Sequence, residues 1–154
     1  MRPRRTSADV ERAGFVCACA ATRHVARLLT QLYDRRLRSA GIEAAQFALL
    51  VALERLGPTS QRALARDHAL DKATVSRNLR LLERRGWVEE SAGADARERR
   101  FVVTPSGRRC LAAARPHWRR AQEQVRASMG DEEWSALLRA LGRLADAAER
   151  ASRR

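Results

Sequence analysis

Residues 70–104 constrain the fold more than any other part of the chain. They open with LDKATVSRNLRLLERRG (70–86), where Asp71 can cap a helix over 72–85 and Gly86 can close it. On a wheel of 100° per residue, Leu79 and Leu82 fall within about 40° of Val75, which makes one apolar stripe. Ala73, Ser76, Arg77, Arg80 and Arg84 lie on the far side. Trp87-Val88-Glu89-Glu90 follows at once, then a polar turn over 91–98 containing Gly93, then Arg100-Phe101-Val102-Val103-Thr104. Two short β-prone runs around a Gly-containing loop predict a hairpin. Pro105 suits the first turn of a following helix, with Thr104 as its cap.

The surrounding chain reads as helix. A long helix fits 9–40, with Phe15, Cys19, Ala26, Leu29, Tyr33 and Leu37 near one side, widened by Val25, Leu28 and Leu32. Gly41 ends it. A second helix fits 44–56 and stops at Gly57-Pro58. Thr59 or Ser60 can cap a short third through about residue 67. The helix opened by Pro105 runs to about 128, and Gly130-Asp131 separates it from a last one. There Trp134, Leu137, Leu138, Leu141, Leu144, Ala145 and Ala148 recur at spacings of three and four. Such a stripe is most often intramolecular core. Here the first helix and the last two are apolar yet lie outside the central module, which favours a shared dimer interface.

Two short helices, a turn into a third and a hairpin are the parts of a winged helix-turn-helix. The expected fold is mainly α with a small β-hairpin wing (α+β). Residues 1–8 form a disordered basic arm and 9–154 a single unit. Within it, 9–43 and 105–154 make a helical dimerisation region, and 44–104 make the DNA-binding lobe.

The net charge of +13 favours a polyanionic partner. Lys72 is the one lysine among 31 basic residues, and a GC-rich genome explains an arginine bias without any phosphate. Position matters more than number. A charge run is usually a solvated face, but this one is followed by ADARERR (94–100) at the hairpin tip. Asp95 can hold Arg97 extended into a narrow, electronegative minor groove, and Arg99 shares the parity of Arg97. Arg84 and Arg85 lie too far along the helix for bases and suit phosphates or solvent.

The chain resembles the MarR family of transcription regulators from VCACAATRHVARLLTQLYDRRL through QFALLVALERLGPTSQRALA and DKATVSRNLRLLERRGWVE to DARERRFVVTPSGR. The last stretch carries the family's Asp-x-Arg wing and Thr-Pro-x-Gly helix start. The resemblance implies a homodimer joined by its first and last helices, bound to a pseudo-palindromic operator in double-stranded DNA, usually as a repressor. Half-sites then lie about one helical turn apart. By position, Lys72, Ala73, Thr74, Ser76, Arg77 and Arg80 match the reader helix. Asp95 and Arg97 match the wing, joined here by Arg99. Thr59, Ser60 and Gln61 match the phosphate-contacting start of the third helix. One departure stands out: relatives commonly read Leu-Gly in the helix-turn-helix turn, whereas here it reads His68-Ala69-Leu70. If position 69 needs φ > 0, alanine costs energy that glycine would not.

Relatives that sense hydroperoxides carry a reactive cysteine early in the first helix beside tyrosines of the partner subunit. Cys19 and Tyr33 have the matching separation, about 21 Å along one helix at 1.5 Å per residue. They would meet only across an antiparallel dimer. Arg23 stands where such sensors carry a further tyrosine. The plainer role for Cys19 is a small buried residue at a helix contact. In other relatives a small aromatic effector binds between the dimer and DNA-binding regions. His24, Arg27, Gln46, His117 and Trp118 are the candidates for that crevice here.

Cys17 and Cys19 point about 200° apart on a helix, which disfavours a mutual disulfide or a shared metal. Three histidines with no Cys/His cluster support no metal site. No Gly-rich phosphate loop, carboxylate pair or nucleophile motif supports an enzyme or a cofactor. The start, MRPRR then GFVCACAA, imitates a signal peptide, but Asp9, Glu11 and Arg12 interrupt it. No run is long enough for a membrane span. The expected location is cytoplasmic. The rival function is a sequence-independent basic module that coats nucleic acid or an acidic surface.

Overall fold

The computed structural model describes residues 17–91 and 99–153. The expected basic arm, residues 9–16 of the first helix, and the wing residues Asp95 and Arg97 lie outside the described residues. The elements in order are α1 (Ala18–Leu37), a single 3-10 turn (Arg38–Ala40), α2 (Ala44–Leu56), β1 (Thr59–Ser60) and α3 (Gln61–Asp67). Then come α4 (Lys72–Arg84), β2 (Val88–Ser91), β3 (Arg100–Val103), α5 (Pro105–Met129) and α6 (Asp131–Ser152).

The predicted side-chain caps start three of these six helices. Ser60 Oγ accepts from the Ala63 amide, Asp71 from the Thr74 amide, and Thr104 Oγ1 from the Gly107 amide. At α2, Glu43 and Gln46 form a reciprocal capping box. The first helix is shorter than the expected 9–40 at its C-terminal end. Its last turn tightens to 3-10 before Gly41 turns away at φ 72°, a conformation that suits glycine.

The sheet also differs from the expected two-stranded hairpin. β2 and β3 pair antiparallel, with Val88 opposite Val103 and Glu90 opposite Phe101. β1 adds a third strand on the other edge of β3, with Thr59 opposite Phe101 and Ser60 opposite Arg100. This short strand ties the start of α3 to the base of the wing.

One core joins the lobe to the long helices. Leu49, Leu50 and Leu53 of α2, Leu64 of α3, and Val75, Leu79 and Leu82 of α4 are all buried. Val88, Phe101 and Val103 of the sheet and Leu37, Leu111 and Ala114 of α1 and α5 complete the cluster. α1 also lies along α5 through polar contacts. Tyr33 donates to Gln122 Oε1, Arg36 to Gln124 Oε1, and Ser39 Oγ meets His117 Nδ1 at 3.1 Å. Among the described residues no helix is long and apolar enough to cross a membrane.

Candidate nucleic-acid interface

α4 divides as its periodicity predicts. Val75, Leu79 and Leu82 are sealed into the core, while Lys72, Ala73, Arg77 and Arg80 are exposed and Ser76 is half-buried. The N-terminal end is tightly organised. Asp71 Oδ1 accepts the Thr74 amide at 2.8 Å and Oδ2 accepts the Thr74 hydroxyl at 2.7 Å. The Thr74 hydroxyl and amide hold the Asp71 carboxyl below the usual carboxylate range. The cap therefore contributes above the unfolded-state pKa and is lost as pH falls through the lowered folded value. It also occupies a donor that a phosphate at this helix end would otherwise use.

α3 is braced against α4 by Gln61, whose Nε2 donates to the Lys72 carbonyl at 2.8 Å. Of the three residues expected to contact DNA at the start of α3, Thr59 is 7% exposed and donates to the Gly57 carbonyl at 2.8 Å. Ser60 serves as the α3 cap. On the wing side, Gln61, Ser76, Leu79, Arg80, Glu83, Arg99 and Phe101 surround a cleft of about 130 Å³. The reader helix, the start of α3 and the base of the wing thus form one continuous surface.

Two arginines make contacts within the chain that their sequence positions do not reveal. Arg85, assigned above to phosphates or solvent, is exposed but also makes contacts within the chain. Its Nη1 donates to the Gly41 carbonyl at 2.5 Å and its guanidinium lies 4.9 Å from the centre of the Trp87 ring. Arg99, assigned above to DNA, is engaged by Glu90.

The turn between α3 and α4 has the geometry that makes its alanine costly: Ala69 is at φ 49°, the one non-glycine residue with positive φ among those described.

A second feature lies behind α3. A crevice of about 410 Å³ has a floor of Tyr33, Leu37, Ala44, Phe47, Val51 and Trp118 and a rim including Arg55, Asp67, His68, Arg115 and Arg119. Phe47 and Trp118 stack with ring centres 6.1 Å apart. Arg55 grips Asp67 through two contacts of 2.7 Å, and Arg115 pairs with Glu54. Of the five residues expected at a crevice, Trp118 lines this one. Gln46 is consumed by the α2 capping box, His117 turns to Ser39, and His24 and Arg27 lie nearer the start of α1 than the lining residues Tyr33 and Leu37. The lining residues come from four helices, so helical spacing alone could not have collected them.

Cys19 is exposed near the start of α1, beside a groove shared with Arg23, Leu141, Leu144, Ala145 and Ala148. Tyr33 sits near the other end of α1, its hydroxyl bound to Gln122 and its pKa raised by burial. The two do not meet within one chain. Among the described residues no cluster of His, Cys, Asp or Glu could hold a metal ion.

Comparison with known proteins agrees with this architecture. Residues 40–98 match the family model described as MarR family. The HTH-type transcriptional repressor NicR of Pseudomonas putida is 33% identical over 144 residues, covering 92% of this chain and 87% of that protein. The uncharacterized HTH-type transcriptional regulator YwoH of Bacillus subtilis is 27% identical over 112 residues, 73% of this chain and 82% of that one. The crystal structure of the M. tuberculosis transcriptional regulator MosR in complex with DNA aligns with a TM-score of 0.79 at 40% identity, over 88% of this chain and 98% of that chain. These relatives are regulators rather than enzymes. With the helix-turn-helix, the two strands of the wing and the long helices in place, the chain belongs to the MarR family of winged helix-turn-helix transcription regulators.

Proposed function

We propose that this protein binds double-stranded DNA sequence-specifically, as a homodimer on a pseudo-palindromic operator, and acts there as a repressor. The observation that carries the reading is the division of α4. Its apolar side is locked into the core, and Ala73, Arg77 and Arg80 stand exposed on the surface shared with α3 and the wing. Small residues near the helix start allow close approach to base edges, and a bidentate arginine reads guanine. Asp95 and Arg97 keep the minor-groove role that the family pattern implies. The DNA complex of MosR and the repressor name of NicR support the same reading. Dimerisation is supported by the apolar surface left on α1 and α6, where Val25, Leu28, Leu138, Leu141 and Leu144 are 41–53% exposed.

The crevice beneath α3 supports a small aromatic effector as the releasing signal, since its floor is apolar and aromatic and its rim carries three arginines. Oxidation of Cys19 is the other route considered, acting at the α1–α6 groove. Cys19→Ser separates the two, because only a thiol-based response disappears in that variant.

Selection from a random duplex library tests the main reading. It should recover a two-fold motif with half-sites about one helical turn apart. Arg77→Ala should weaken operator binding by about 1–3 kcal/mol and relax base preference at one position. Equal affinity for selected and scrambled duplexes across a salt titration would instead mark a sequence-independent coating protein.

A further inference from the structure

The inward face of the wing ends in charge. Val88, Phe101 and Val103 point into the core, each 5% exposed or less. Residues two apart on a strand share a face, so Glu90 and Arg99 continue that inward face beyond Phe101. There they form a diagonal cross-strand pair. Arg99 Nε donates to Glu90 Oε1 at 2.7 Å and Nη2 to Oε2 at 2.6 Å, a fork-on-fork arrangement that fixes orientation as well as distance. The same guanidinium lies 5.7 Å from the centre of the Phe101 ring. It borders the cleft whose opposite wall is Ser76, Leu79, Arg80 and Glu83 of α4. Glu90 and Glu83 both act on the Arg99 charge, one from the wing and one from the reader helix. The Arg99 fork is thus already filled by both oxygens of the Glu90 carboxylate, which leaves its charge locally neutralised rather than turned to an approaching phosphate.

We infer that Arg99 is a positioning residue, clamped by Glu90 over Phe101, which sets the angle between wing and reader helix and contacts no phosphate. This rests on the DNA-binding reading above. It removes Arg99 from the basic wing surface and gives the acidic Glu90 a part in recognition. The clamp matters because reader helix and wing address different grooves. Their mutual angle determines whether both can be engaged on one operator.

The test uses the full-length protein, the operator recovered by selection, and the variants E90Q, R99Q, R99K and E90Q/R99Q. Because the pair is exposed, E90Q and R99Q should each weaken operator binding by no more than about fivefold. R99K should resemble R99Q, since an ammonium keeps the charge but not the fork. The neutral pair E90Q/R99Q should keep the wild-type slope of log K against log salt. A phosphate contact predicts the opposite: tighter binding and a steeper slope in E90Q, and a slope flattened by about 0.9 in the neutral pair. Either result overturns the inference. A thermal-denaturation cycle over the same variants is independent of DNA. Non-additive shifts support the clamp and additive shifts overturn it, even if no operator is recovered and the DNA-binding reading fails.

Discussion

The lobe formed by α2 to β3 and the terminal helices α1 and α6 are built to different degrees of completion. In the lobe, the helix starts are capped by side chains of the same chain, and Leu50, Leu64, Val75 and Leu82 are wholly buried. Along α6, 22 residues long, none is buried, and along the 20 residues of α1 only Leu37 is. Leu138, Leu141 and Leu144 stay 50%, 42% and 41% exposed although they fall on one stripe. Polar residues tie α1 to α5, yet much of the apolar surface of α1 and α6 is left to solvent. The lobe encodes a fold that closes within one chain. The terminal helices carry an apolar surface that no other described residue covers, the feature on which the proposed dimer rests, since isolated monomers rarely leave contiguous apolar patches of this kind wet.

The strongest way to break that contrast is Leu141→Asp. If α6 packs against a second copy, the aspartate enters the interface twice per dimer. Losing two leucine contacts, at about 1.5–3 kcal/mol each, should weaken dimerisation by about 3–6 kcal/mol. Sedimentation should show monomer at concentrations where the wild type is dimeric, and the melting temperature should fall and lose the dependence on concentration that a dimer shows. An unchanged association state would mean that α6 is an ordinary solvated helix, and the contrast would collapse.

The seam between the two regions gives a smaller and different effect. Gly107 opens α5 where it leaves the wing. A Cβ there would overlap the Trp87 carbonyl oxygen and crowd Val103 Cγ1 at 2.8 Å. That carbonyl already accepts the Thr104 amide at 3.0 Å, so it is not a flexible tip that can step aside. Gly107→Ala should cost about 3 kcal/mol, lowering the melting temperature by about 6–12 °C. Unlike Leu141→Asp, it should act equally at every protein concentration. A concentration-dependent loss would place the seam inside the dimer interface.

The same contrast explains what the sequence revealed. α2 and α4 were legible almost to the residue because Gly57-Pro58, Asp71 and Gly86 are local punctuation and the apolar stripe of α4 is unbroken. The Thr-Pro-x-Gly pattern was visible too, but the reason for its glycine was not, because Trp87 approaches it from another element. β1 carries no signal of its own. Two residues extend because β3, some forty positions later, offers its edge. Arg85 and Arg99 read as solvated or DNA-facing charge because the Gly41 carbonyl, Trp87 and Glu90 that engage them are brought close only by tertiary packing and strand register. The lining of the crevice was not legible for a related reason. Helical faces were readable, but the angles at which α1, α2, α3 and α5 meet were not.

The smallest expected effect lies wholly inside the lobe, where one residue departs from an otherwise unstrained design. α3 ends in a Schellman arrangement. The Leu70 amide donates back to the Ala65 carbonyl at 2.9 Å and the Ala69 amide to the Arg66 carbonyl at 3.2 Å. That closure requires a left-handed residue between them, and Ala69 supplies it at φ 49°. A left-handed alanine costs about 1–2 kcal/mol in steric conflict, while glycine brings about 0.5–1 kcal/mol of extra unfolded-state entropy. The difference favours Ala69→Gly by about 0.5–1 kcal/mol. Thermal denaturation should therefore show a rise of about 1–4 °C. The rise should be the same at all concentrations and leave the dimer dissociation constant unchanged, since the turn supplies none of the exposed apolar residues of α1 and α6. Asp71 caps α4 two residues downstream, so relief of strain at 69 reaches the reader helix at once. An accompanying change in operator affinity would mean that the alanine holds α4 at an angle that glycine does not.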